Sequence, residues 1–323
     1  MAGNAWRARA DPSAAVPAAD GFTHVALSYR SQAEYLLAVT EFVQAALVRS
    51  DAVLVVVPGA RAGALRQALA ADWERIEFAD MADAGRNPGR VIAAVSEFAD
   101  HHPGTRISAV GEPCWQQRPE PELAEAAKHE ALSNLAFAGM PMTALCPYDA
   151  AALPSEVLAA AGQTHPFVAS GGGRHANSAY LGDGQIPAFA RQSLPPPPAG
   201  ARIVDFHNDL RQVRAVVTRE ATLAGLAPDR VADLVIAVNE LAANTLRHTT
   251  GSGTLLVWLT AAEIVCEVRD SGWITDPLAG RCRRAGDAGG GHGLWMVNEV
   301  CDLVQTRTGP QGTGTRLHMR VVR

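Results

Sequence analysis

Between Phe22 and about Val168, short apolar runs alternate with longer stretches that are apolar along one side only. "THVALSY" (23–29), "AVLVVVP" (52–58), "RISAVGE" (106–112) and "PMTALCP" (141–147) have the length and β-branched content of strands. "SQAEYLLAVTEFVQAALVR" (31–49) and "RAGALRQALA" (61–70) have the period of helices, and "DMADAGRNPGRVIAAVSEFADHH" (80–102) is a loop entering a helix near Pro88. A further long helix, "PEPELAEAAKHEALSNLAFAG" (119–139), ends at Gly139. This alternation predicts an α/β layer fold with a largely parallel sheet. Periodicity then fades: residues 169–200 hold "SGGGRHANSAYLGDGQ" and "SLPPPPAGA", which predict a Gly/Pro-rich linker.

After the linker the order changes. "DLRQVRAVVTREATLAG" (209–225) and the stretch through "AVNELAANTLRH" (237–248) predict two helices. Strands "GTLLVWLTA" (253–261) and "EIVCEVRDSG" (263–272) follow, then a Gly-rich stretch, a helix "GLWMVNEVCDLV" (293–304) and a final strand "GTRLHMRVV" (314–322). Helices gathered between strands predict an α+β two-layer sandwich, with helices on one face of a mixed sheet. The predicted organisation is an N-terminal segment 1–21 without order, an α/β domain 22–168, a linker 169–200 and an α+β domain 201–323.

Composition narrows the chemistry. A chain of 323 residues with 48% hydrophobic residues buries two full cores. A net charge of −5 lacks the basic field of a nucleic-acid binder. Lys128 is the single lysine and lies between Ala127 and His129, so no G-K-[ST] phosphate loop exists. The five cysteines (Cys114, Cys146, Cys266, Cys282, Cys301) are scattered without a C-x-x-C, which indicates neither a disulfide framework nor a zinc site and suits a reducing cytoplasm. No apolar run is long enough to span a bilayer, the longest strongly apolar one being "AVLVVV".

Four pieces of the second domain carry candidate chemistry. Val231, Leu234, Val235, Val238, Leu241, Ala242 and Thr245 form the buried stripe of a helix, and Glu240, Asn244 and His248 run along its border, since a step of four drifts only about 40°. A carboxylate and an amide there suit Mg²⁺ and a water or hydroxyl near a phosphate. "VRDSG" ends a strand with Asp270, able to accept from an exocyclic amine, and Gly272, which lets a flat base approach. "GDAGGGHGLWMVNEV" puts glycines ahead of a helix N-terminus, an anion site. "GTGTRLHM" brings Thr313 and Thr315 to the entrance of the last strand. Each piece alone has a plainer reading: a solvated helix edge, a turn, a flexible loop, a β-turn.

In this order, Glu-x-x-x-Asn, Asp-x-Gly, Gly-x-Gly-Leu and Gly-Thr resemble the GHKL ATPase family with its Bergerat fold, and within it the bacterial anti-sigma-factor serine kinases. The resemblance implies Glu240 as catalytic base and Asn244 as Mg²⁺ ligand. It implies Asp270 and Gly272 at the adenine, Gly291 and Gly293 at the phosphates, and Thr315 supporting the adenine, with ATP and Mg²⁺ as cofactors. His248 falls where a basic residue often ends the first motif, or is a surface histidine. Trp273 and Ile274 stand where the family usually has a second glycine, a departure in the adenine-side loop.

The first domain resembles the MEDS sensory domain through "DMADAGRNPGR", "GEPCWQQRPEPELAEAAKHEALSNLAF", "LCPYDAAALPSEVL" and "THPFV". The resemblance implies a small organic ligand. Glu112, Trp115, His129, Glu130, Cys146 and Tyr148 are the candidate pocket residues, or ordinary packing residues. "KHEALSN" superficially resembles a phospho-acceptor helix but does not directly precede the ATPase-like domain.

The two resemblances together imply a cytoplasmic, signal-responsive anti-sigma factor with serine/threonine kinase activity. Its partners would be a sigma factor and an anti-anti-sigma (STAS-type) protein, with homodimerisation and no direct contact with nucleic acid or membrane. Two alternatives stay open: a non-catalytic sigma-binding module with weak ATP binding, and a sensor histidine kinase.

Overall fold

The computed structural model describes residues 21–170, 173–182, 184, 194–282 and 292–321. The chain divides between residues 185 and 186 into two compact units. All five cysteines are free thiols, and among the described residues no helix is long and apolar enough to cross a membrane.

The first unit is a seven-stranded sheet in the order β3-β2-β4-β5-β1-β6-β7. Its strands are β1 (Thr23–Tyr29), β2 (Ala52–Val57), β3 (Ile76–Asp80), β4 (Ile107–Gly111), β5 (Met142–Asp149), β6 (Phe167–Ser170) and β7 (Gly173–Ala176). All pairings are parallel except the β6–β7 edge. The parallel strands read as near-continuous apolar runs because both faces are covered. The helices are α1 (Gln32–Val48), α2 (Gly59–Ala68), α3 (Met81–Ala84), α4 (Val91–Asp100), α5 (Glu120–Ala136) and α6 (Ser155–Thr164).

On one face Val25, Leu27, Tyr29, Val55 and Leu145 pack with Tyr35, Val39 and Phe42 of α1. On the other, Ala26, Cys146 and Tyr148 pack with Ala126 of α5 and Ala161 of α6. Helix α5 buries Glu122, Glu125, Lys128, His129, Glu130, Ser133 and Asn134 alongside its apolar residues, so its weak amphipathicity reflects burial on most of its circumference. The antiparallel strand β7, "GRHA", falls within the stretch whose composition predicts a linker. Gly173, Arg174, His175 and Ala176 at a sheet edge carry no periodic pattern, and backbone pairing with β6 makes the strand.

The second unit is a five-stranded antiparallel sheet in the order β11-β12-β10-β9-β8. Its strands are β8 (Arg202–His207), β9 (Ser252–Leu259), β10 (Glu263–Asp270), β11 (Leu303–Gly309) and β12 (Gly312–Arg320). Helices α7 (Arg211–Ala224), α8 (Pro228–His248) and α9 (Gly293–Val300) share one core with it: Val213, Val217, Leu234, Val238, Leu241, Leu255, Ile264, Cys266, Val297, Leu317 and Met319. Each such fully buried Leu, Val or Ile contributes roughly 1.5–3 kcal/mol.

The two-layer α+β sandwich is as predicted, but the sheet is wholly antiparallel rather than mixed. The helix predicted over 293–304 ends at Val300, because Cys301 turns extended and Leu303–Val304 enter β11. On the sheet face away from the helices, Glu267 accepts from Arg269 Nε (2.5 Å) and from Arg316 Nη2 (2.6 Å). Arg316 also lies over the Trp258 ring and donates to the Pro195 carbonyl at 2.7 Å.

Candidate functional site

The rim of the second unit gathers the sequence motifs. Helix α8 starts with Pro228 in its first turn and turns Leu234, Ala237, Val238, Leu241, Ala242 and Thr245 into the core. Glu240 and Asn244 come out half-buried at the border, and His248 is exposed in the last turn. Gly293 opens α9, and a Cβ on it would stand 2.7 Å from Glu240 Oε2 and 3.8 Å from Asn244 Nδ2. Only a glycine brings the N-terminus of α9 this close to the pair, and that terminus carries the positive end of the helix dipole. Arg247 Nη1 donates to Asn244 Oδ1 at 3.1 Å, fixing which way the amide faces.

Asp270 is held at the end of β10. Thr245 Oγ1 donates to its Oδ2 at 2.6 Å, and the Gly272 N–H donates to its Oδ1 at 2.8 Å. Each carboxylate oxygen keeps a lone pair beyond these bonds. The approach is tight on every side: a Cβ at Gly272 would meet Asp270 Oδ1 at 2.9 Å, and one at Gly253, opposite Asp270 in β9, would meet Thr245 Cγ2 at 2.9 Å. Carboxylate, amide, helix N-terminus and anchored aspartate thus line one rim of the sandwich.

Two further motif residues fall as follows. Thr313 pairs with Asp270 across the β10–β12 ladder, and its hydroxyl donates to the Gly272 carbonyl at 2.8 Å. Thr315 pairs with Val268, is buried, and its hydroxyl meets that of Thr306 at 3.3 Å. Spacing singles out Thr315, whereas register makes Thr313 the residue beside the Asp270–Gly272 turn. Trp273 is 60% exposed, so its ring does not fill the rim, while the Ile274 N–H donates to Thr308 Oγ1 at 2.9 Å. Gly291 lies outside the described residues.

The six candidate pocket residues of the first unit do not all converge. Glu112 belongs to the α1 face: it accepts from the Tyr29 hydroxyl at 2.9 Å, with Arg61 Nε at 3.8 Å. Burial pushes its carboxyl up to about 7, against the opposing pull of Tyr29 and Arg61. Trp115 instead stacks with the Arg118 guanidinium, 4.5 Å from its ring centroid. His129, Glu130 and Cys146 line a cavity on the α5 face together with Phe22, His24 and apolar residues such as Leu54 and Val91.

Glu130 is the centre of a closed cluster. His24 Nε2 lies 2.8 Å and His165 Nε2 3.2 Å from Glu130 Oε2, and Cys146 Sγ is 3.4 Å from His24 Nε2. Tyr148 meets the His165 ring edge-on at 5.6 Å. Burial alone would raise Glu130, but the facing His165 and His24 imidazoles hold it well below the usual carboxylate range. Burial, then the neighbouring His165, lowers His24, and burial followed by Glu130 raises the Cys146 thiol.

Of the residues the sequence singles out, Glu130, Cys146 and Tyr148 lie in this cluster, and His24, His165 and Asn134 join them without having been named. The sign was a histidine at an inward position of β1, in "THVALSY", and a second directly before β6, in "THPFV".

The comparisons agree with this division. Residues 23–166 match the family described as MEDS, the MEthanogen/methylotroph, DcmR Sensory domain. Residues 206–321 match the histidine kinase-like ATPase domain. No curated protein matches the chain. Among solved structures, the crystal structure of the RsbU and RsbW domains of Rv1364c from Mycobacterium tuberculosis is similar at 20% identity and a TM-score of 0.29. That match covers 38% of this chain and 33% of that one. The chain therefore joins a MEDS sensory domain to a GHKL-like ATPase domain.

Proposed function

We propose that the chain is a cytoplasmic signal-responsive regulator whose ATPase-like domain binds ATP·Mg²⁺ and phosphorylates a serine or threonine of an anti-anti-sigma protein. The MEDS domain sets its activity. The observation that carries this reading is the packing of Gly293 against Glu240 and Asn244, which joins the first and third motifs into one edge on the helix that also holds Asp270 through Thr245. The order of the motifs points to the anti-sigma kinases within the wider ATPase family, and a sigma factor is the second partner.

In this reading Asp270, oriented by Thr245 and Gly272, accepts from the adenine amino group, with Thr313 and Thr315 supporting that end. Asn244 holds Mg²⁺, and the N-terminus of α9, with Gly291 and Gly293, faces the phosphates. ATP·Mg²⁺ supplies the transferable γ-phosphoryl group and neutralises its charge. Glu240 takes the proton of the attacking hydroxyl. Such transfer rests mostly on positioning, so few side chains are required.

The test is incubation of the full chain with labelled ATP, Mg²⁺ and candidate STAS-type partners, beside Glu240→Ala. Acid-stable label on the partner, absent with the variant, supports the proposal. Acid-labile label on the chain itself would mean a histidine kinase, and sigma binding without any transfer would mean a binding module only; either outcome overturns it. The buried setting of His129 within the α/β domain speaks against the histidine outcome.

A further inference from the structure

The cluster on the α5 face poses a problem of lone pairs. Asn134 Nδ2 donates to the Thr164 carbonyl at 2.7 Å, so the amide oxygen is the atom that faces His24 Nδ1, at 3.0 Å. An amide oxygen only accepts, hence His24 carries its proton on Nδ1. His165 Nδ1 faces the Ala161 carbonyl at 2.8 Å and must likewise be N–H. Both neutral rings therefore aim an unprotonated Nε2 at the same carboxylate oxygen, which is itself only an acceptor when ionised. Protonating both rings would place two imidazolium ions with centroids 3.9 Å apart in the interior. A single proton on Glu130 reaches only one of the two nitrogens, and the other donor in reach, the S–H of Cys146 at 3.4 Å from His24 Nε2, is weak.

A cation resolves the conflict. The donor atoms of His24, Glu130, Cys146 and His165 all lie within 4.8 Å of one another, and all four residues are buried. They come from separate elements: β1, α5, β5 and the residue following α6. His24 and Cys146 sit on neighbouring parallel strands, two residues apart in register, so their side chains share a face. Bonds of about 2.0–2.3 Å in a tetrahedron separate donors by roughly 3.3–3.8 Å, so the shortest pair here opens by a few tenths of an ångström to admit an ion. The outer contacts are those of a metal centre, each imidazole donating its distal N–H to an amide or a carbonyl that fixes the ring.

We propose that His24 Nε2, His165 Nε2, the Glu130 carboxylate and the Cys146 thiolate bind one divalent transition-metal ion of the zinc class. Two imidazoles, one thiolate and one carboxylate are borderline donors that favour Zn²⁺ over Mg²⁺ or Ca²⁺. Binding takes the proton from the Cys146 thiol and releases it to solvent. This site is separate from the Mg²⁺ expected at Asn244 and stands whether or not the chain is a kinase.

The test uses the full chain with the metals alone. Elemental analysis after purification and dialysis should give close to one zinc-class ion per chain. Replacement by Co²⁺ should produce tetrahedral d–d bands and a thiolate-to-cobalt charge-transfer band. Cys146→Ser should lose the charge-transfer band, while Cys114→Ser, at a buried cysteine outside the cluster, keeps it. Asn134→Ala should weaken Zn²⁺ binding about 10–100-fold without removing the band. Failure of the full chain to bind Zn²⁺ or Co²⁺ stoichiometrically, or a cobalt spectrum without thiolate character, overturns the proposal without recourse to any variant. Persistence of the band in Cys146→Ser does the same.

Discussion

Glu240 and Asn244 stand half-buried at the rim of the second unit, while His24, Glu130, Cys146 and His165 are each at most 5% exposed inside the first. The rim is assembled from glycine contacts and one anchored carboxylate, with side chains that face outward. The interior cluster is assembled from groups that face one another at 2.8–3.4 Å and leave little room for error. A rim of this kind can lose a side chain and keep its fold, because water replaces the missing partner. A closed cluster cannot, since a removed partner leaves a buried polar group uncompensated.

The sharpest test of the contrast is Glu240→Ala. Phosphoryl transfer should fall by about 10²–10⁴-fold, the range of a general base, while ATP affinity and thermal unfolding of the full chain stay close to the parent. A comparable loss of stability would break the comparison, making Glu240 a structural residue. The converse substitution is Glu130→Ala, which deprives both histidines of their shared partner. It should destabilise the first unit by about 3–5 kcal/mol, read by hydrogen exchange over residues 23–166, and leave ATP binding intact. An unchanged exchange pattern would mean that the interior is as tolerant as the rim.

How much of this was legible in the sequence follows the same division. The rim's pieces keep a fixed order in the C-terminal part of the chain, so Glu240, Asn244, Asp270 and Gly293 could be named before any coordinates. Register alone brought Thr313 to Asp270. The interior cluster has no such spacing: Cys146 and His24 stand 122 positions apart, and only parallel pairing of β1 with β5 joins them. Cysteine spacing pointed away from zinc because it looks for ligands close in the chain, whereas here each ligand comes from a different element. Strands β8 and β11 were missed for a local reason. "RIVDFH" and "LVQTRTG" mix polar and apolar residues over barely two turns' worth of chain, and become strands through their ladders with β9 and β12.

A smaller effect separates the two faces within the first unit. Glu112 titrates in the fold at about 7 but near the ordinary 4.5 when unfolded, so between those values the folded state holds the extra proton. Its favourable contribution is complete below about pH 4.5 and is lost as the pH rises past about 7. Glu112→Gln stays neutral throughout and should flatten the fall in stability over that window, a difference on the order of 3 kcal/mol at the most. Denaturant unfolding of the full chain at pH 5 and pH 8 measures it.

The smallest effect belongs to Trp273→Gly, which restores the glycine usual in the family. With the indole 60% exposed, stability should change by no more than about 0.5 kcal/mol and ATP affinity by less than a few-fold, as titration of both proteins would record. A large gain in affinity would mean that the ring closes the rim after all.

The hydrogen bond from Arg316 to the Pro195 carbonyl has a mechanical meaning. Pro195 opens a run of four prolines, a stiff rod that passes on a pull where a glycine chain would absorb it as entropy. The rod is hooked to β12, and through Glu267 to β10, on the reverse of the plate whose other side carries Thr313 and Asp270. A pull on the chain at Pro195 would therefore reach β12 and β10, the strands that carry Thr313 and Asp270, before it reached β8.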